Sequence, residues 1–331
     1  MSKLNVAVIF GGSGTCHDSY VKSARNLINN LSREKYNIIP VYVNKLGNWF
    51  LYEGDPCSMP SAPLENFGTP CQINLDTNGK SLLRISRERI KRVPVDIAFP
   101  LLGTIFEGGS VQGVLEAGGI KYVGSKIMAS SLAADYNIVK TLAKSIGITC
   151  PKHLVFSAKD LDDFDAMKKA IRYKIGYPCY IKSAKKGFSA IVSDKNELEE
   201  AIFTAFLYGE RIIAQKAVKG RELVCAAFGY GESFEVRIGE VMADSELCLS
   251  PKLSDKVIYK IKEVALGLFE LMDCNSPVSF KFDLEGVRHS VSLIDIDTKL
   301  YFADDDIFVK LAKCAGLNIS SLADSLIESE L

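Results

Sequence analysis

The sequence is poor in the residues that build metal centres, disulfide scaffolds and membrane spans. Its 331 residues include three histidines, His17, His153 and His289, far apart along the chain, so a zinc site is not expected. Nine cysteines are scattered, odd in number and without a C-x-x-C pair. Met1-Ser-Lys-Leu-Asn leads straight into a strand-like run instead of a signal peptide, so reduced thiols in a cytoplasmic protein are the expectation. No apolar run approaches the roughly 18 residues that a membrane-spanning helix needs. Neither sign of charge is in excess: 40 Lys+Arg against 40 Asp+Glu leave a formal net charge of zero. Nucleic acids and anionic membranes are recognised through a positive field, so neither is an expected partner. There is no internal repeat, and no spacing sets a serine or cysteine nucleophile beside a histidine.

With 47% apolar and 24% charged residues, the chain has the balance of a soluble globular protein long enough for two or three packed units. Val6–Phe10 is a short apolar run followed at once by Gly11-Gly-Ser-Gly14, and Ala24, Leu27, Ile28 and Leu31 then share a helical face. Further strand-like runs cover 36–43 and 95–102. Strand, glycine turn, helix and strand predict a parallel α/β sheet. The stretch 53–80, rich in Pro, Gly, Asn and Ser, reads as a loop or a two-stranded excursion. Asp194-x-x-Glu197 predicts a capping box for a helix through Leu207. Ser254 predicts the cap of a helix reaching about Met272, with two closing helices around 307–315 and 319–328. Between them, Ser279–Asp283 and Leu293–Asp297 alternate, which places Lys281 with the polar residues of one strand and Asp295 with Asp297 on one face of the other.

Several residues are candidates for chemistry. Gly11 and Gly12 either offer backbone N–H groups to an anion or form a tight turn that needs glycine. Lys182 with the loop Lys185-Lys186-Gly187 either clamps polyphosphate or is a solvated basic hairpin. Gln215 and Lys216, closing a buried strand, either meet an adenine edge with Glu222 accepting from a ribose or are an edge-strand lysine and a surface glutamate. Asp295 and Asp297 either hold Mg²⁺ or form a solvated edge.

The order of these signals is more specific than any one of them. The glycine turn, Gly103-Thr-Ile-Phe-Glu-Gly-Gly-Ser-Val-Gln-Gly113, Tyr122-Val-Gly-Ser125, Ile175-Gly-Tyr-Pro178, the lysine–glycine loop, Gln215-Lys216 and the acidic last strand run nearly end to end. In that order they resemble the D-alanine–D-alanine ligase family. The resemblance implies an ATP-grasp fold of three α/β units: a parallel-sheet N-terminal domain (1–124), a small central α+β domain (125–217) and a C-terminal domain (218–331). It implies ATP and Mg²⁺, with Lys182, Gln215, Lys216 and Glu222 at nucleotide positions and Asp295 and Asp297 at metal positions. Dimerisation through the N-terminal domain is implied too, as a homodimer or as a mixed dimer with an active ligase.

At the positions where the family does its chemistry the residue types differ. The glutamate that holds the first substrate's ammonium falls on Cys16, and the histidine of the H-G segment falls on Leu102, with Glu107-Gly108 in place of its E-D pair. A phosphate-binding lysine falls on Tyr136, after a retained Asp135, and the R-x-D segment falls on Ser279-Phe280-Lys281. The long covering loop is replaced by Gly239–Pro251 running directly into the next helix. These departures point to a catalytically degenerate paralogue with a binding or regulatory role, in which Lys281 forms an internal ion pair with Asp295 and Asp297. The alternative is an active ATP- and Mg²⁺-dependent carboxylate–amine ligase, for D-Ala-D-Ala or a related dipeptide, in peptidoglycan precursor synthesis.

Overall fold

The computed structural model describes the chain except residues 1–2, 15, 60–63, 77–78, 104–107, 230–233, 243–245 and 287–289. Among the residues singled out above, Glu107 with its neighbours 104–106, residues 243–245 of the shortened loop and His289 lie outside the described residues.

The first sheet contains β1 (Leu4–Gly12), β2 (Tyr36–Val43), β3 (Trp49–Tyr52), β4 (Gly68–Ile73), β5 (Ser81–Ile85), β6 (Ile90–Pro94), β7 (Ile97–Gly103) and β8 (Lys121–Tyr122). Their order is β6-β5-β4-β3-β2-β1-β7-β8, with β2, β1, β7 and β8 parallel. The central strands are apolar along most of their length because both faces are covered. Val6, Val8 and Phe10 point into one core and Ala7 and Ile9 into another. Helices α1 (His17–Asn30) and α2 (Ser110–Ala117) are the crossovers. The stretch 53–80 does more than loop out: β4 pairs with β3 on one side and β5 on the other, so it extends the parallel sheet with antiparallel strands.

Helices α3 (Ile127–Ala133) and α4 (Tyr136–Ser145) lead into a second, antiparallel sheet of β9 (His153–Ser157), β10 (Cys179–Ser183), β11 (Ser189–Val192) and β12 (Arg211–Lys216) in the order β11-β10-β12-β9. Helices α5 (Phe164–Ala170) and α6 (Leu198–Phe206) accompany it. The expected capping box does not form. The helix starts after Glu197, whose carboxylate instead accepts the Ser193 N–H at 2.7 Å, while Asp194 accepts the Asn196 N–H at 2.7 Å. Each acid closes its own local turn.

The third sheet, also antiparallel, holds β13 (Arg221–Phe228), β14 (Glu235–Val241), β15 (Leu247–Cys248), β16 (Val278–Glu285) and β17 (Ser290–Asp297) in the order β15-β14-β13-β16-β17. Helix α7 (Asp255–Leu271) covers one face, through Val257, Ile261, Val264 and Leu268 against Leu223, Cys225 and Ala227. Ser254 is its N-cap residue, though its side chain makes no capping bond.

The closing helices α8 (Ile307–Cys314) and α9 (Ile319–Glu328) lie in the core that also contains Val224, Ala226 and Phe228 of β13 and the α1 face of the first sheet. Asp324 of α9 accepts from Lys35 at 2.6 Å and from the Tyr36 hydroxyl at 2.7 Å, and the rings of Tyr20 and Tyr301 stack at 5.2 Å. One apolar core therefore joins the first and third sheets and gives the site a fixed frame. No helix among the described residues is long and apolar enough to cross a membrane.

Candidate functional site

The site is built where the second sheet faces the third. A cavity of about 220 Å³ is lined by Tyr136, Tyr180, Lys182, Gln215, Glu222, Lys281 and Asp295, among others. A second cavity of about 40 Å³, lined by Gly124, Lys186, Asp297, Thr298 and Leu300, lies toward the first sheet. The ion pair between Lys186 and Asp295, at 2.9 Å, stands between them, since Lys186 lines the smaller cavity and Asp295 the larger. At roughly 10–15 Å³ per water, the smaller one has room for about three waters.

Lys186 reaches Asp295 because its loop is pinned. The Lys186 N–H donates to the Ala134 carbonyl at 3.1 Å and the Tyr136 N–H to the Ala184 carbonyl at 2.9 Å. The backbones of Asp135 and Lys185 pair in an isolated antiparallel β-bridge. Asp135 also caps α4 by accepting from Asn137 and Ile138 at 2.8 and 3.2 Å, and takes the Arg211 guanidinium at 2.6 Å. The Ser183 hydroxyl closes the hairpin by accepting the Phe188 N–H at 3.1 Å, and the Phe188 ring stacks on Tyr208 at 5.6 Å. The Lys186 ammonium spends a second donor on the Ile296 carbonyl.

Lysines are concentrated here. Lys182 is 6% exposed, and its ammonium lies 4.8 Å from the Tyr136 ring centre and 5.1 Å from that of Tyr180. It has no carboxylate, carbonyl or hydroxyl partner among the described residues. Burial pushes its pKa down from the ordinary 10.5 to about 8; Lys140, Lys186 and Lys281 push the same way and Asp295 opposes them. Lys186 shares the Tyr136 ring at 5.4 Å. Lys140 is 1% exposed and donates to the Ile294 carbonyl at 3.4 Å; burial lowers its pKa as well. A buried ammonium whose neighbours are mostly ammoniums is costly, and an anion relieves that cost.

At the other end, Gln215 is 1% exposed and its Oε1 is buried with no donor among the described residues. An orphaned acceptor of this kind costs roughly 1–3 kcal/mol until a ligand N–H or a water meets it. Glu222, half exposed, lies 4.0 Å from Lys281. Together these groups suit a ligand with an N–H at one end and several negative charges at the other.

The other predicted residues fall outside this arrangement. Lys216 is exposed at the end of β12 and does not line the cavity. Gly11 and Gly12 line neither cavity. Both have positive φ at the end of β1, and a Cβ on Gly11 would run into the Val43 carbonyl oxygen of the neighbouring strand, so close strand approach requires glycine there. Cys16 is exposed just before α1. A roomier cavity, about 370 Å³, lies beside α1 and β2, but two carboxylates (Asp18, Glu65) balance its two cations (Arg25, Lys45).

The expected ion pair of Lys281 with Asp295 and Asp297 is corrected. Lys281 does stand opposite Asp295 in the strand register, but a register shift follows it and its ammonium turns toward Glu222. The cation on Asp295 is Lys186. Asp297 accepts the Lys299 N–H at 3.0 Å and has its ammonium at 3.8 Å. Asp283, two residues beyond Lys281, is buried and accepts the Gly220 N–H at 3.0 Å; burial raises its pKa.

This donor set does not fit magnesium. That ion wants near-octahedral oxygen ligands, whereas Asp295 and Asp297 are each matched with a lysine and no cluster of three His, Cys, Asp or Glu able to hold a metal exists among the described residues. At an effective dielectric of 20, a divalent ion about 4 Å from a fixed ammonium is opposed by roughly 8 kcal/mol.

Lys140 and the Arg211–Asp135 pair were not singled out from the sequence. Lys140 had a signal, since it falls on the buried stripe of Val139 and Ala143 on α4. The Arg211–Asp135 pair, 76 residues apart, had none.

Comparison with known proteins agrees with the fold. A model described as "D-ala D-ala ligase N-terminus" matches residues 5–125, and one described as "D-ala D-ala ligase C-terminus" matches 142–328. A D-alanine–D-alanine ligase of Caldicellulosiruptor bescii is 31% identical, covering 99% of this chain and 95% of the relative. One from a Thermoanaerobacter species is 28% identical over 99% and 96%. Among solved structures, the VanG D-Ala:D-Ser ligase of Enterococcus faecalis superposes with a TM-score of 0.89 at 24% identity, over all of both chains. A Bacillus anthracis D-alanine–D-alanine ligase complexed with ATP superposes with 0.74 at 22%, over 99% and 96%. The architecture is the three-sheet ATP-grasp fold.

Proposed function

The chain belongs to the D-alanine–D-alanine ligase family, and from that premise we propose that it is a member which has kept the nucleotide cavity and given up ligase turnover, serving as a binding or regulatory protein. The observation that carries the proposal is the Lys186–Asp295 ion pair, which puts an ammonium at an expected metal position.

Ligation through an acyl phosphate needs charge neutralised at the transferring phosphoryl group and water kept away from it. The matching positions carry Cys16, Leu102, Tyr136 and Lys281. A charged hydrogen bond is worth about 1.5–3 kcal/mol and each 1.4 kcal/mol is about tenfold in rate, so several such losses together remove many decades. The cavity toward the first sheet, with room for about three waters, is too small for two amino-acid substrates. The nucleotide side supports retention: Lys182 and Gln215 face one cavity with unmet bonding capacity.

A specific observation favours a second reading, an active ATP-dependent ligase with a rebuilt site: the match to a relative named D-alanine–D-alanine ligase runs end to end at 31% identity. Phosphate release with ATP, Mg²⁺ and D-alanine separates the two. The proposal expects no turnover above background; a rate above about 0.1 per second, against an enzyme median near 10, favours the second reading.

A further inference from the structure

We propose that the 220 Å³ cavity binds the polyphosphate of an adenine nucleotide without any divalent cation, the Asp295–Lys186 pair standing where a carboxylate–metal pair would otherwise hold the phosphates. The inference rests on the nucleotide-binding reading above and goes beyond it in naming the ionic form of the ligand.

The charge count comes first. Lys182 and Lys281 line the cavity and Lys140 and Lys186 lie within electrostatic reach of Lys182, against the carboxylates of Asp295, Glu222 and Asp283. The Asp283 carboxylate is buried and accepts the Gly220 N–H at 3.0 Å, and burial raises its pKa. Four ammoniums against three carboxylates leave one positive charge, which suits an anionic ligand.

Geometry supplies the second part. An ammonium has three donors; Lys186 gives one to Asp295 and one to the Ile296 carbonyl, which fixes its position and leaves the third. Lys182 has all three available and lies beside it across the Tyr136 ring. A metal between Asp295 and the phosphates would have to displace Lys186 from both partners. The orphaned Gln215 Oε1 at the far end awaits a donor such as an exocyclic adenine amine, which selects the nucleotide over inorganic polyphosphate.

Calorimetric titration of the full chain with ATP, once in EDTA and once in excess Mg²⁺, tests this. The expected result is binding in EDTA at least as tight as in Mg²⁺, and AMP binding at least about tenfold weaker than ATP. Lys186→Gln, checked for folding by its thermal melt, should lose about tenfold or more of the metal-free affinity, the size of one charged hydrogen bond. A threefold or greater loss of wild-type affinity in EDTA overturns the inference and leaves the nucleotide-binding reading standing. No binding in either condition overturns that reading, and the inference with it.

Discussion

Lys182→Met is the substitution whose consequences are most sharply defined. Lys182 is 6% exposed, and burial with three lysine neighbours brings its pKa from 10.5 to about 8. At 1.36 kcal/mol per pH unit, keeping it charged in the folded protein at pH 7 costs roughly 3 kcal/mol. Methionine fills a similar volume against the Tyr136 and Tyr180 rings and has no charge to desolvate. The variant should therefore be more stable than the wild type at pH 7, by up to roughly 3 kcal/mol in urea unfolding. The sign follows from the depressed folded pKa. Below about 8 both states hold the proton and the cost is complete; between about 8 and 10.5 the unfolded state holds more protons, so wild-type stability rises and the gap closes. ATP affinity should fall by about tenfold or more in the same variant. A variant less stable at pH 7 with unchanged ATP affinity would refute the assignment of Lys182 as a strained anion ligand.

ATP binding near pH 8 should be coupled to proton uptake by Lys182, and calorimetry in buffers of different ionisation enthalpy will show it as a buffer-dependent heat. Gly11→Ala places a Cβ against the Val43 carbonyl at a positive φ, and the variant should lose about 3 kcal/mol or more of stability. Asp135→Ala removes the α4 cap and the Arg211 partner, so thermal melts should show a loss of roughly 1–3 kcal/mol. Its ATP affinity should fall as well, because the uncapped start of α4 is the segment to which the Lys186 loop is bonded.

The parts of the fold legible in the sequence were those carried by local pattern. The continuous apolar run of β1 marks a strand covered on both faces, and the 3.6-residue stripe of α7 marks a helix on one core. The Asp194-x-x-Glu197 spacing misled because both acids can also close short turns, and each does. In the site, Lys182, Gln215 and Asp295 could be placed from their order along the chain. The identity of the cation on Asp295 could not. Alternation puts Lys281 opposite it, but the register shift after Lys281 is invisible to a period-two pattern. The residue that does arrive, Lys186, is brought by backbone bonds between a hairpin loop and the start of α4, about 50 residues apart in the chain.

The most direct test is a crystal structure of the full chain with a non-hydrolysable ATP analogue and Mn²⁺, measured at the manganese absorption edge. The expected map has nucleotide between the second and third sheets, Lys186 still within about 3 Å of Asp295, and no anomalous peak between Asp295 and the phosphates. A manganese ion in that place, with Lys186 displaced from Asp295, would contradict it.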